Sequence, residues 1–204
     1  MFLLDSHCDT PSQILRLRDL SIDNEYAHVD FPKLIKGGVD GAFFALYVPA
    51  GKTEEEAYAY SHRLLEAVRA TVAANSDTAA FATSPAEALA NKSAGLFSVF
   101  MGLENGSPIG HSLERMHEFY DAGVRYVTLC HSRDNQICDS CASANGRWSG
   151  LSPFGRELVK EMDRMDSVDS MTKVDTPRPK QGRITAFSSF ILGTRSFRMV
   201  FLPV

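Results

Sequence analysis

The segment Val39-Asp40-Gly41-Ala42-Phe43-Phe44-Ala45-Leu46-Tyr47-Val48 constrains the fold more than any other part of the chain, because it is apolar on both faces. A strand with one wet face alternates apolar and polar residues; a strand buried on both faces does not. Such strands lie inside parallel sheets covered by helices, and the flanking sequence supplies the helices. Residues 2–5 read as a first short strand, and Asp30 caps a helix over 31–36 that Gly37-Gly38 stops. Thr53 and Glu56 form a capping box ahead of Ala57, Tyr60, Leu64, Leu65, Val68 and Val72, which recur at helical spacing to about Ala74. Ser84-Pro85-Ala86-Glu87 opens a further helix that ends near Lys92. A strand over 96–101, a turn over 102–106, a helix from Ser112 to Asp121 stopped by Gly123, and a strand over 124–129 follow. After a loop rich in Ser, Asn and Gly, Ser152-Pro153 opens a helix with Leu158, Val159 and Met162 on one face. The pattern predicts a parallel α/β fold of four strands, with functional residues at the strands' carboxyl ends.

Polar groups stand at three of those ends. His7 and Asp9 end the first strand, where residues two apart share a face. Glu104 follows the third strand and His131 the fourth. An imidazole with two carboxylates is a hard nitrogen and oxygen donor set suited to zinc and similar divalent ions, and the two oxygens of Glu104 allow it to bridge. Taken singly, each group has a plainer reading. His-x-Asp also describes a solvated surface pair, Glu104 also suits a loop cap, and His131 also suits a satisfied core histidine.

Composition narrows the classes. With 204 residues, 44% of them hydrophobic, the chain has enough material to bury a core as one domain. A net charge of −4 lacks the basic footprint of a nucleic-acid binder. There is no run of about 18 apolar residues for a membrane span, and Met1-Phe2-Leu3-Leu4 is too short for a signal core; the expected location is the cytoplasm. In that compartment Cys8, Cys130, Cys138 and Cys141 are expected as thiols, and Cys138-x-x-Cys141, lacking a second such pair, as two loop thiols.

Five segments in order resemble the membrane dipeptidase family (renal dipeptidase, peptidase family M19). They are Asp5-Ser6-His7-Cys8-Asp9-Thr10-Pro11, Gly38-Val39-Asp40-Gly41-Ala42-Phe43-Phe44, Gly102-Leu103-Glu104-Asn105-Gly106, Gly123 to Ser132, and Gly150-Leu151-Ser152-Pro153-Phe154-Gly155-Arg156-Glu157. The resemblance covers residues 1–165. It implies a (β/α)8 TIM-barrel metallohydrolase, here the first four to five βα units. It also implies a site with two zinc ions, with His7 and Asp9 on one ion and Glu104 bridging both. His131 would contact the substrate and stabilise the tetrahedral intermediate, so that Glu104 and His131 are the catalytic pair. The reaction implied is hydrolysis of a dipeptide amide by a metal-bridging hydroxide, with D-residues accepted at the carboxyl end. Other metal-dependent amidohydrolases fit less well, because they usually carry His-x-His on the first strand.

Residues 166–204 depart from the pattern. All six histidines lie in the first 131 residues, so this tail cannot supply the family's second pair of zinc histidines, and the eighth-strand aspartate has no counterpart. The tail holds six Lys and Arg against three Asp and Glu, which leaves 15 against 22 for residues 1–165. This reversal of charge leads to the expectation of a truncated dipeptidase barrel joined to an unrelated, frameshifted or disordered tail, with weak activity or none. The competing expectation is a non-catalytic fragment that self-associates through its open sheet edge.

Overall fold

A computed structural model describes residues 1–166. The elements are β1 (Leu4–Cys8), α1 (Thr10–Ile14), α2 (Phe31–Lys36), β2 (Gly41–Tyr47), α3 (Glu54–Ala74), β3 (Ala79–Phe81), α4 (Pro85–Ser93), β4 (Phe97–Glu104), a 3-10 turn (Ser107–Ile109), α5 (Leu113–Asp121), β5 (Val124–Thr128) and α6 (Pro153–Asp166). The expected weak element over 184–192, and the tail as a whole, lie outside the described residues.

Local chemistry explains the helix starts. Asp30, fully buried, accepts the Lys33 amide at 2.9 Å and the Asn24 amide at 3.1 Å. Thr53 and Glu56 close a reciprocal box: Thr53 N donates to Glu56 Oε2 at 2.8 Å, and Glu56 N donates to Thr53 Oγ1 at 3.3 Å. Ser84 Oγ accepts the Glu87 amide at 3.3 Å, whereas the Glu87 carboxylate reaches back to Thr83 N at 2.6 Å, one residue before the cap. Ser112 Oγ takes the Arg115 amide at 3.2 Å. Each such cap is worth about 1 kcal/mol.

Five strands form one sheet in the order β1-β2-β4-β3, with β5 also paired to β4. The β1–β2 and β3–β4 pairs are parallel. The fifth strand corrects the expectation of four. β3 is only three residues long and holds two alanines, too little for a period to show, and it exists because Ala79, Ala80 and Phe81 pair with Phe97, Ser98 and Val99. Gly102, Leu103 and Glu104, expected in a turn, instead extend β4. A Cβ on Gly102 would stand 2.1 Å from the Tyr126 ring, so the glycine is required by side-chain packing and not by a bend.

The described residues divide into two compact units, and strands β2 and β4 contribute to both. The first holds residues 1–46 and 62–101. Its core includes Phe43 stacked on Phe100 at 4.9 Å and the α3 stripe Leu64, Leu65, Val68 and Val72, all buried. Full burial of each such side chain contributes about 1.5–3 kcal/mol. The second unit begins with residues 47–61 and resumes at Gly102. Phe119, Val127, Leu129, Ile137, Leu158 and Met162 are its buried centre. Within it, Glu161 of α6 is almost buried and meets His117 Nε2 of α5 at 2.9 Å. No described helix is long and apolar enough to cross a membrane.

Candidate metal centre

His7 reaches its position through an irregularity that simple alternation does not predict. Leu4 and Asp5 pair with Gly41 and Ala42, but Cys8 pairs with Phe44, so β1 carries one residue more than β2 between these points. Such a bulge turns a side chain out of the regular pleat. The His7 amide donates to Asp5 Oδ1 at 3.1 Å inside it, and the imidazole is exposed. Asp9 stands just beyond the strand as the N-cap residue of α1, although its side chain makes no capping hydrogen bond there. The two side chains meet nonetheless, with His7 Nε2 3.4 Å from Asp9 Oδ1. Cys8, between them, faces inward and shares a 2.8 Å hydrogen bond with Thr10 Oγ1. Burial pushes its thiol up to about 11, so it adds neither charge nor a thiolate donor near neutral pH.

Glu104 is the last residue of β4, and its side chain is only 13% exposed. His131 Nε2 lies 3.6 Å from Glu104 Oε1, and the Tyr47 ring meets the His131 ring edge-on at 5.2 Å. His131 therefore sits at the surface beside Glu104, which corrects the plainer reading of a core histidine. His7 and Asp9 belong to the first unit, and Glu104 and His131 belong to the second. One imidazole nitrogen and two carboxylates are donors of the kind a zinc-type divalent ion takes, and His131 is a neighbour of Glu104.

The loop that carries His131 is more organised than its Ser, Asn and Gly content suggests. Asp139 is 7% exposed, and its carboxylate accepts the amides of Arg147 at 2.7 Å, Trp148 at 2.8 Å and Gly150 at 3.1 Å. Desolvation works to raise its carboxyl group, but these backbone donors outweigh it and hold Asp139 below the usual carboxylate range. Asp134 accepts the Ser140 amide and the Ser143 hydroxyl at 2.7 and 2.9 Å, while Ser140 Oγ donates to the His131 carbonyl at 2.7 Å. The four cysteines are free thiols, and Cys138 is raised by its hydrogen bond with Cys130 and by burial. Tyr47, Asp134, Asp139 and Ser140 were not legible as site residues. The available signal was the acid spacing Asp134 to Asp139 within a polar loop.

The model of the family "Membrane dipeptidase (Peptidase family M19)" matches residues 1–174, past the boundary at 165 that the motifs define. Dipeptidase tcpJ of Claviceps purpurea is 27% identical over 185 residues, covering 83% of this chain and 44% of that protein. Dipeptidase aclJ of Aspergillus oryzae is 30% identical over 165 residues, covering 77% and 39%. Among solved structures, dipeptidase AC, a metallopeptidase, superposes with a TM-score of 0.71 at 24% identity, covering 81% of this chain and 54% of that one. A metallopeptidase from Rhodobacter sphaeroides, solved with a phosphinate mimic of the dipeptide L-Ala-D-Ala, gives 0.72 at 22% identity, covering 81% and 56%. These structures share the α/β fold with its parallel sheet, and the chain spans about half the length of the relatives it matches. With the family model matching most of its length, the chain belongs to the membrane dipeptidase family, peptidase family M19.

Proposed function

We propose that this chain carries the first half of a dipeptidase centre: His7, Asp9 and Glu104 hold one divalent ion of the zinc type, and His131 binds the dipeptide beside it. The observation that carries the reading is the match of the membrane dipeptidase family model to residues 1–174, a span that includes His7, Asp9, Glu104 and His131. A bound ion would supply Lewis-acid polarisation of the scissile amide carbonyl and acidify water. Glu104 brings two oxygens from a largely buried carboxylate, which leaves one for a second ion. His131 presents a ring that can donate a hydrogen bond to the carbonyl oxygen as it gains negative charge. Tyr47 limits how that ring can turn, since the two meet edge to face.

The same residues set a limit. Three protein ligands suffice for one ion with an open position, but a second ion needs donors that the described residues do not group together. The purified 204-residue chain is expected to bind one equivalent of zinc and to hydrolyse a Gly-D-Ala type dipeptide slowly or not at all. Metal analysis with a dipeptide assay checks this. One ion per chain, lost in Glu104→Gln, is the expected result; a metal-free protein, or metal that Glu104→Gln retains in full, contradicts it.

A further inference from the structure

Asn105, directly after Glu104, is one of three non-glycine residues with positive φ among the described residues, at φ 78°, and it is 3% exposed. Glycine would take this conformation without strain, so an asparagine here directs attention to its amide. Asn105 Nδ2 donates to the Val48 carbonyl at 2.8 Å. Its Oδ1 accepts the Ser107 amide at 3.2 Å, the Ser107 hydroxyl at 2.7 Å, and Asn135 Nδ2 at 3.4 Å. On the other side Val48 N donates to the Glu104 carbonyl at 3.0 Å. Residue 48 is thus gripped by the backbone of Glu104 and by the side chain of Asn105, which fixes the peptide between these two and the direction in which Glu104 leaves the strand.

Asn135 continues the chain of contacts toward His131. Its Nδ2 also donates to the Leu129 carbonyl at 2.7 Å, two residues before His131, and its Oδ1 accepts the amides of Ile137 at 2.9 Å and Cys138 at 3.1 Å. The circuit closes through Tyr47, which precedes Val48 and meets the His131 ring. From these contacts we propose that Asn105, with Asn135 behind it, is the positioning residue that fixes Glu104 against His131. The inference rests on the reading of Glu104 as a metal ligand. Neighbours that orient a ligand typically change metal affinity 10- to 100-fold when removed.

Cobalt(II) titration of the full chain, followed by its visible absorption, tests the proposal. Asn105→Gly keeps the backbone conformation and removes the amide; Asn105→Asp keeps the shape and removes the donor to Val48. Both are expected to weaken cobalt binding about tenfold and to alter the absorption band while circular dichroism remains that of the folded protein. Ser143→Ala, which removes a 2.9 Å hydrogen bond elsewhere in the His131 loop, should leave affinity and band unchanged. Wild-type affinity and spectrum in Asn105→Gly would overturn the proposal, as would a loss matched by Ser143→Ala or accounted for by unfolding. If the unsubstituted chain binds no cobalt, or Glu104→Gln binds it equally well, the metal reading fails and takes this inference with it.

Discussion

The end of β1 and the end of β4 present their candidate ligands by different means. At β1 a bulge aims His7 outward and Asp9 follows the strand, with side chains 37% and 65% exposed. At β4 the Glu104 side chain is 13% exposed, and the neighbouring Asn105 holds it through hydrogen bonds to residues distant in sequence. The first pair is local and open to exchange with solvent, whereas the second is built into the core.

The largest expected effect lies on the buried side. Gly102→Val places a side chain where a Cβ already stands 2.1 Å from the Tyr126 ring, which is 2% exposed and has nowhere to retreat. A loss of about 3 kcal/mol is expected in a denaturant titration. Asp9→Asn at the open end should stay within about 0.5 kcal/mol of the unsubstituted chain. Equal losses at the two positions would erase the contrast.

How far the sequence could be read follows the same division. The caps at Asp30, Thr53, Ser84 and Ser112 are legible because donor and acceptor lie three residues apart, and the Leu64 to Val72 stripe is legible because it is periodic. The bulge in β1 is not, because it exists only relative to the register of β2. Asn105 gave no signal because its partner Val48 is 57 residues away. The extension of β4 through Gly102 was hidden because a glycine beside Asn and Gly reads as a turn until Tyr126 is placed over it. The sequence identifies the candidate ligands, but their support is non-local.

Strand β1 and the loop that carries His131 should also fail at opposite ends of the pH scale. Cys8, raised from about 9 to about 11 by burial, is neutral in the folded state, and its stabilisation is complete below the unfolded value. That contribution, at most about 3 kcal/mol for a shift of this size, is lost as pH rises from about 9 to about 11. Cys8→Ser should flatten this alkaline limb. Asp139 is held below the carboxylate range, so its contribution is present above the unfolded value near 3.9 and is lost as pH falls through the lower folded value. Trp148, the single tryptophan, bonds to Asp139 and to the Asn135 carbonyl, and its fluorescence should report that acid transition. A Trp148 signal that changes between pH 5 and 8 in the metal-free protein would contradict this assignment.

X-ray absorption at the zinc edge of the loaded chain tests the centre most directly. His7, Asp9 and Glu104 predict a first shell of nitrogen and oxygen at about 2.0–2.2 Å, with the outer pattern of one imidazole and no sulfur. A sulfur shell at about 2.3 Å would mean that the loop thiols Cys130, Cys138 and Cys141 hold the metal, and would contradict the account.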